Sequence, residues 1–281
     1  MGRSHPQQQA QPLSPISRVL YIAGYGWSGS TLLERLLAAH PAIMACGEIH
    51  NFRKDFAIRE QCSCGKIVDA CPLWGSAYRA GKNLTDVQLI KHLQAAAPPG
   101  THYLTDASKT TYGTATRPWR LRSTFDLFLL HLVRNGEHCL NSNLHRKYAN
   151  ASPWKRRWKA SLQGLHWTMA HLSALRFGKQ HPHRYHKIHY EHLMENPKAA
   201  LQSVLQWLEL EPTPLLDILE KNANIPLGHQ LSGNAIRFQE NLQIDPSIRR
   251  PIRLREAEVR TFRFTAGPMM RYLGYGEDRN H

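Results

Sequence analysis

The stretch Arg18-Val-Leu-Tyr-Ile-Ala-Gly-Tyr-Gly-Trp-Ser-Gly-Ser-Thr-Leu-Leu-Glu-Arg-Leu-Leu, ending at Leu37, constrains the fold more than any other part of the chain. Val19, Leu20, Tyr21 and Ile22 form a short β-rich apolar run, the mark of a buried parallel strand. Residues 24–29 follow as a glycine-rich loop. Ser30 and Thr31 then open a helix in which Leu32, Leu33, Leu36 and Leu37 recur at helical spacing, with Pro41 just past its end. Strand, glycine loop and helix N-terminus together make an anion cradle. Loop N–H groups and the positive end of the helix dipole converge there on one phosphate.

The loop nearly spells a Walker A motif. The pattern G-x-x-x-x-G-K-[ST] runs as Gly24, four residues, Gly29, then Ser30 in place of lysine, then Thr31. The missing lysine is the group that reaches the β- and γ-phosphates of a nucleoside triphosphate. Without it the cradle suits a nucleotide carrying a 5′-phosphate-like group, and an ordinary ATPase or kinase loses ground.

The stretch Gly26-Trp-Ser-Gly-Ser-Thr-Leu-Leu, followed by Ala39-His40-Pro41 and Cys46-Gly47-Glu48, resembles the opening of sulfotransferases that use 3′-phosphoadenosine 5′-phosphosulfate (PAPS). It is most similar to the bacterial members and more distantly similar to tyrosylprotein sulfotransferases. The resemblance spans residues 19–275. It implies an α/β, P-loop-NTPase-like three-layer fold with a central parallel sheet flanked by helices. It also implies metal-independent in-line transfer of a sulfuryl group from PAPS to a hydroxyl or amine. No residue is assigned as a metal ligand.

A length of 281 residues accommodates one large α/β domain, here expected over residues 18–281, and a formal charge of +15 favours polyanionic partners. An anionic nucleotide donor is the sharper reading of that charge. No arginine-rich tail, zinc finger or RNP motif marks a nucleic-acid binder. No run of about 18 apolar residues predicts a transmembrane helix. Residues 1–17, rich in Gln and Pro without an apolar core, read as a disordered tail rather than a secretory signal. Five cysteines do not suggest a secreted disulfide framework, so a cytoplasmic protein is expected.

Further candidates follow along the chain. Residues 42–46 read as a second strand with Gly47-Glu48 at its carboxyl end, where ligands bind in open α/β sheets. The resemblance gives Glu48 the role of general base, and a carboxylate with an ordinary pKa of about 4.3 is already ionised at neutral pH. Tyr103-Leu-Thr-Asp106 is the next strand, and Ala107-Ser108-Lys109 beyond it resembles the bacterial D-S-S-K segment. Residues 125–133 form the most apolar strand, which runs into Arg134. Ser142 stands eight residues later, the family's spacing for gripping the 3′-phosphate that distinguishes PAPS from ATP. The segment from Tyr190 to Pro197 resembles the family's Y-E-D-L-x-x-N-P and reads as structural. Gly233, Asn234 and Arg237 resemble a late loop that closes over the 3′-phosphate.

The donor-binding set is therefore Gly26, Trp27, Ser28, Gly29, Ser30, Thr31, Arg134, Ser142, Gly233, Asn234 and Arg237, with Glu48 and Lys109 as the catalytic pair. One departure stands out. Most sulfotransferases carry Lys or Arg where this chain has Trp27, and an indole N–H donates one hydrogen bond and no charge. Lys109 is expected to supply the missing cation. Cys62, Cys64 and Cys71 form a cluster that reads as packing or redox-tolerant; a zinc reading would take Cys46 or His50 as fourth ligand. The acceptor-side stretches, residues 54–100 and 149–177, are compatible with a small hydroxylated metabolite, a sugar or a lipid. Besides a sulfotransferase, two readings stand: a catalytically impaired binder of PAPS or its bisphosphate product, and a P-loop kinase or nucleic-acid binder. Arg134 with Ser142 favours the first two over the third.

Overall fold

Apolar runs between turn signals become most of the strands of one sheet, and the longer periodic stretches become its flanking helices. The computed structural model describes residues 18–276 other than 112, 222, 243 and 245–250. The tail expected over 1–17 and the last stretch of the expected domain, 277–281, lie outside the described residues. In chain order the elements are β1 (Arg18–Ala23), α1 (Ser30–Leu37), β2 (Ile43–Met44), α2 (Phe52–Ala57), α3 (Gly75–Ala80), α4 (Asp86–Ala96) and β3 (Tyr103–Asp106). They continue as α5 (Arg117–Arg122), β4 (Asp126–Val133), α6 (Gly136–Lys147), α7 (Pro153–Gln180), β5 (Tyr185–His189), α8 (Tyr190–Glu195), α9 (Pro197–Trp207), α10 (Thr213–Glu220) and α11 (Glu256–Tyr272).

All strand pairs are parallel, in the order β2-β3-β1-β4-β5. From β1 the chain crosses to the edge strand β2, returns to place β3 between the two, and then passes to the other side of β1 for β4 and β5. The carboxyl end of β1 is therefore the topological switch point, the crevice where ligands bind in such sheets. Side chains of β1 alternate between two packed faces. Leu20 and Ile22 join the α1 leucines and the apolar side of α9, while Val19, Tyr21 and Ala23 join Trp74, Leu89 and Phe177. These two faces are the outer interfaces of a three-layer P-loop-NTPase-like α/β fold. A further apolar cluster joins α6, α7 and α11.

One boundary differs from the sequence reading for a physical reason. The second strand is two residues long rather than five. Beyond Met44 the backbone is diverted: the N–H groups of Cys46 and Gly47 donate to the Glu34 carboxylate at 3.1 and 2.7 Å. The carbonyls of Ala45 and Cys46 accept from His229 and Leu231 of a distant loop instead of from a strand. The Trp154–Trp158 run is the exposed start of α7; Trp154 and Trp158 face solvent while Arg156 is buried against Glu258.

Helix α1 carries two charges in the middle of its leucine stripe. Glu34 is fully buried and accepts from Cys46 N–H, Gly47 N–H, the Thr105 hydroxyl and the Gln230 amide. Burial raises its carboxyl above the usual range, against the pull of those four donors. Arg35 donates to the carbonyls of Ile236, Gln239 and Ile225 at 2.6–3.0 Å. One helix thus anchors the ends of β2 and β3 and the segment between α10 and α11.

On the other side of β1, His131 of β4 is wholly buried, with Nε2 2.7 Å from His171 Nδ1 of α7 and Nδ1 2.7 Å from the Tyr185 hydroxyl. Burial pushes the His171 imidazole down to about 3, and burial followed by repulsion from His171 pushes His131 well below its usual value. Both rings stay neutral in the fold. As pH falls through about 6.5 the unfolded chain takes up protons that the folded one refuses, so stability falls with pH. At pH 5.5, ΔG of unfolding is expected to drop with falling pH, and a His171→Gln variant should show a slope shallower by about one proton, or about 1.4 kcal/mol per pH unit. Denaturant titration across pH 5–7 reads this directly; equal slopes would show that the pair does not titrate on unfolding.

Glu34→Gln places an amide N–H₂ among donors that need an acceptor. A loss of about 2–4 kcal/mol in denaturant unfolding at pH 7 is expected. A loss under about 0.5 kcal/mol would mean that the four-way bond is not what holds these segments.

Candidate functional site

The carboxyl ends of β1, β2, β3 and β4 meet around the residue 24–31 loop. Gly24 and Gly29 adopt left-handed φ values of 135° and 91°, and each faces a neighbour too close for a side chain. A Cβ at Gly24 would lie 2.4 Å from the Leu132 carbonyl, and one at Gly29 would lie 2.4 Å from the Tyr190 ring. These glycines let the loop fold down onto β4 and α8. Ser28 is buried, and its Oγ has no hydrogen-bond partner among the described residues. A partnerless hydroxyl inside a glycine cradle at a helix N-terminus fits an anion there. Ser30 and Thr31 are buried in the first turn of α1, while Gly26 stands open, with nothing within 4 Å of where its Cβ would be.

Trp27 has φ 69°, a left-handed value for a bulky residue. Its carbonyl accepts from Arg134 Nη1 at 2.8 Å, and its ring lies 5.4 Å from the Arg146 guanidinium and 5.9 Å from Lys147 Nζ, at the end of α6. An open cleft of about 240 Å³ borders it, lined by Tyr25, Gly26, Trp27, Asn143, Lys147 and His166 among others.

Glu48 and Lys109 come from different strand ends and form an ion pair. Lys109 is buried with φ 65°, a backbone shape held from three sides. Its carbonyl accepts the Tyr21 hydroxyl, Ser108 N–H donates to Asp106 at 3.0 Å, and Thr110 exchanges bonds with Gly24 of the cradle. Asp106 is itself held by Arg117 at 3.0 Å. Glu48 Oε2 accepts from Asn51 at 2.9 Å. Burial works to raise the Glu48 carboxyl, but the Lys109 ammonium, with His50 and Asn51, outweighs it and holds the carboxyl below the usual value. Glu48 is thus an anion throughout the neutral range, with a cation in contact.

Arg134 leaves the end of β4 and lies 4.1 Å over the Tyr190 ring. Glu191 fixes the next residue, accepting Asn135 N–H at 3.0 Å and the Tyr275 hydroxyl at 2.7 Å. The Tyr190–Pro197 segment, read as structural, therefore packs between the cradle and Arg134 and orients both. Ser142, half-buried on α6, donates to the His138 carbonyl at 3.0 Å.

The late loop divides. Gly233 sits with φ 134° so close to α1 that a Cβ would lie 2.9 Å from Thr31 Oγ1, and Asn234 N–H donates to that same oxygen at 3.2 Å. Arg237 is buried, paired with Glu60 at 2.6 Å and bonded to the Gly233 carbonyl at 3.0 Å. Glu34, Tyr190 and Gln230 complete the site's wiring without having been read as site residues. The only sequence signal for Glu34 was a charge inside a leucine stripe.

The cysteine cluster also differs from expectation in its fourth member. Cys62, Cys64 and Cys71 gather with His229, and neither Cys46 nor His50 joins the group.

No described helix is long and apolar enough to cross a membrane. No curated protein matches the sequence. Among solved structures, the sulfotransferase domain from the curacin biosynthetic pathway is similar over 93% of this chain and 99% of its own, with TM-score 0.60 and 21% identity. The sulfotransferase domain of the Synechococcus olefin synthase is similar over 92% and 98%, with TM-score 0.56 and 19% identity. A mouse sulfotransferase complexed with PAP is similar over 91% and 85%, with TM-score 0.53 and 14% identity. At these identities the likeness is one of fold. The model of the sulfotransferase family matches residues 20–214, a span that takes in the cradle, Glu48, Lys109, Arg134 and Ser142 and stops short of the late loop. The chain belongs to the sulfotransferase family.

Proposed function

We propose that the protein is a PAPS-dependent sulfotransferase acting on a hydroxyl or amine of a small-molecule, sugar or lipid acceptor, with residues 18–281 as its one catalytic domain. The observation that carries this reading is the Glu48–Lys109 ion pair set beside an anion cradle whose buried Ser28 hydroxyl lacks a partner among the described residues. PAPS supplies a sulfuryl group activated on a phosphosulfate anhydride. The residue 26–31 loop would hold its 5′ end through N–H groups and the hydroxyls of Ser28, Ser30 and Thr31. Arg134 and Ser142 would hold the 3′-phosphate, with Gly233 and Asn234 covering Thr31.

Glu48 takes the proton from the attacking acceptor oxygen. While ionised it neutralises Lys109; once protonated it leaves the ammonium charge uncompensated, so the cation becomes available as charge builds on the sulfuryl and bridging oxygens. That coupling would let Lys109 stand in for the cation absent at Trp27. An impaired binder is the competing reading, favoured by Trp27 itself. Arg237, engaged with Glu60, has its best-supported role in holding the late loop.

Calorimetry with adenosine 3′,5′-bisphosphate (PAP) and ADP tests the donor site. A clear preference for the bisphosphate is expected, and Arg134→Ala should weaken its binding by roughly 10- to 100-fold while changing ADP binding little. Equal affinities for the two nucleotides would remove the 3′-phosphate reading. Lys109→Ala should lower kcat for transfer from PAPS by about 100-fold or more and leave PAP affinity within a few-fold. Wild-type turnover in that variant would remove Lys109 from the mechanism. Tight PAP binding with no transfer to a panel of phenol, sugar and lipid hydroxyls would mark the impaired binder.

A further inference from the structure

Cys62, Cys64, Cys71 and His229 bring one ligand atom each to within 4.8 Å of all the others. Three come from the loop between α2 and α3, and the fourth is contributed from more than 150 residues away. The separations carry chemical information. Cys71 Sγ lies 3.6 Å from Cys62 Sγ and 3.8 Å from Cys64 Sγ; His229 Nδ1 lies 3.3 Å from Cys71 Sγ and 3.9 Å from Cys62 Sγ. Around a tetrahedral zinc ion, bonds of about 2.3 Å to sulfur and about 2.0 Å to nitrogen set S···S near ~3.8 Å and S···N near ~3.5 Å. Four of the six separations fall within a few tenths of an ångström of those spacings, and the other two, Cys62–Cys64 and Cys64–His229, lie within 4.8 Å. No pair is a disulfide. An iron–sulfur cluster, in which different thiolates bind different irons, would hold the sulfurs farther apart.

The surroundings are also those of a ligand set. The Cys62–Lys66 turn is closed by Cys62 N–H to the Lys66 carbonyl at 2.8 Å, with Gly65 at φ 85°. His229 is fixed on every side: Trp74 Nε1 donates to its carbonyl at 2.7 Å, its own N–H donates to Ala45, and Ser63 ties down both neighbours, Gly228 and Gln230.

We propose that Cys62, Cys64, Cys71 and His229 bind one structural zinc ion. Three thiols lose their protons to solvent and the imidazole binds as the neutral ring, closing the coordination shell, so the ion has no open position for chemistry. The reaction remains metal-independent; what changes is the expectation that the chain has no metal ligands. The ion's role follows from what it joins. It fastens the Cys62–Cys71 loop to the segment carrying Gly233 and Asn234 onto Thr31. Through the His229 bond to Ala45, it also steadies the turn that presents Glu48.

The full chain, grown with zinc and purified without chelator, should contain about one zinc per molecule by elemental analysis. Replacement by Co²⁺ should give thiolate-to-cobalt charge transfer and the intense d–d bands of a tetrahedral site. Stripping the metal should lower Tm by about 5 °C or more, with recovery on adding zinc alone. Cys71→Ser should lose the metal, while Cys139→Ala, which removes a buried cysteine outside the group, should keep it. Should Cys71→Ser fail to fold, the wild-type zinc content and cobalt spectrum still decide the matter. Less than about 0.1 equivalent of zinc with no cobalt spectrum in the wild-type chain would overturn the proposal. So would a disulfide among the three thiols in the native protein. None of these readouts involves PAPS, so the donor assignment can fail while the zinc site stands, or the reverse.

Discussion

The Glu34 carboxylate is the point on which the geometry of the site depends. It sits in the helix that opens the anion cradle, yet its four donors belong to the end of β2, to β3 and to the late loop. A carboxylate is acceptor-only when ionised and can receive about four hydrogen bonds, so it serves as a hub for backbone groups that have left the sheet. The cost is burial of a charge, and Glu34 meets it by full hydrogen bonding rather than by a cation. A consequence is that the cradle and the Glu48 turn do not move independently. Both hang from successive turns of one helix.

The parts legible in the sequence were those encoded by local spacing. A strand, a glycine loop and a leucine-patterned helix are written within twenty residues of one another. Those features needed only periodicity and the handedness of glycine. The parts that were illegible depend on partners far along the chain. Glu34 is bonded to Gln230 and Arg35 to Ile236, so nothing near α1 announces that its charges are inward. His229 belongs with cysteines that precede it by more than 150 residues, whereas local reading offered Cys46 and His50. The shortened β2 has the same origin: residues 42–46 have a strand's composition, but a carboxylate and a distant loop claim their backbone groups.

Arg237 was singled out, with Gly233 and Asn234, by resemblance to a late loop that closes over a phosphate. In the fold its guanidinium bridges Glu60 and the Gly233 carbonyl, holding the loop's shape, while Gly233 and Asn234 make the approach to Thr31. A buried arginine paired to a carboxylate is satisfied, and recruiting it to a ligand would strand Glu60.

The same reasoning bears on the missing cation at Trp27. A charge at that position would extend from the loop itself. In this chain the cations instead stand on elements around the loop: Arg146 and Lys147 against the indole, Arg134 on the Trp27 carbonyl, and Lys109 on the neighbouring strand end. Lys109 alone among these is buried in contact with a carboxylate. It adopts a left-handed backbone that a non-glycine residue rarely takes, and the Tyr21 and Thr110 bonds hold the backbone there. Lys109 is thus a buried positive charge held by the sheet, at a strand end, rather than by the loop. Trp27 presents its ring to Arg146 and Lys147 and its carbonyl to Arg134.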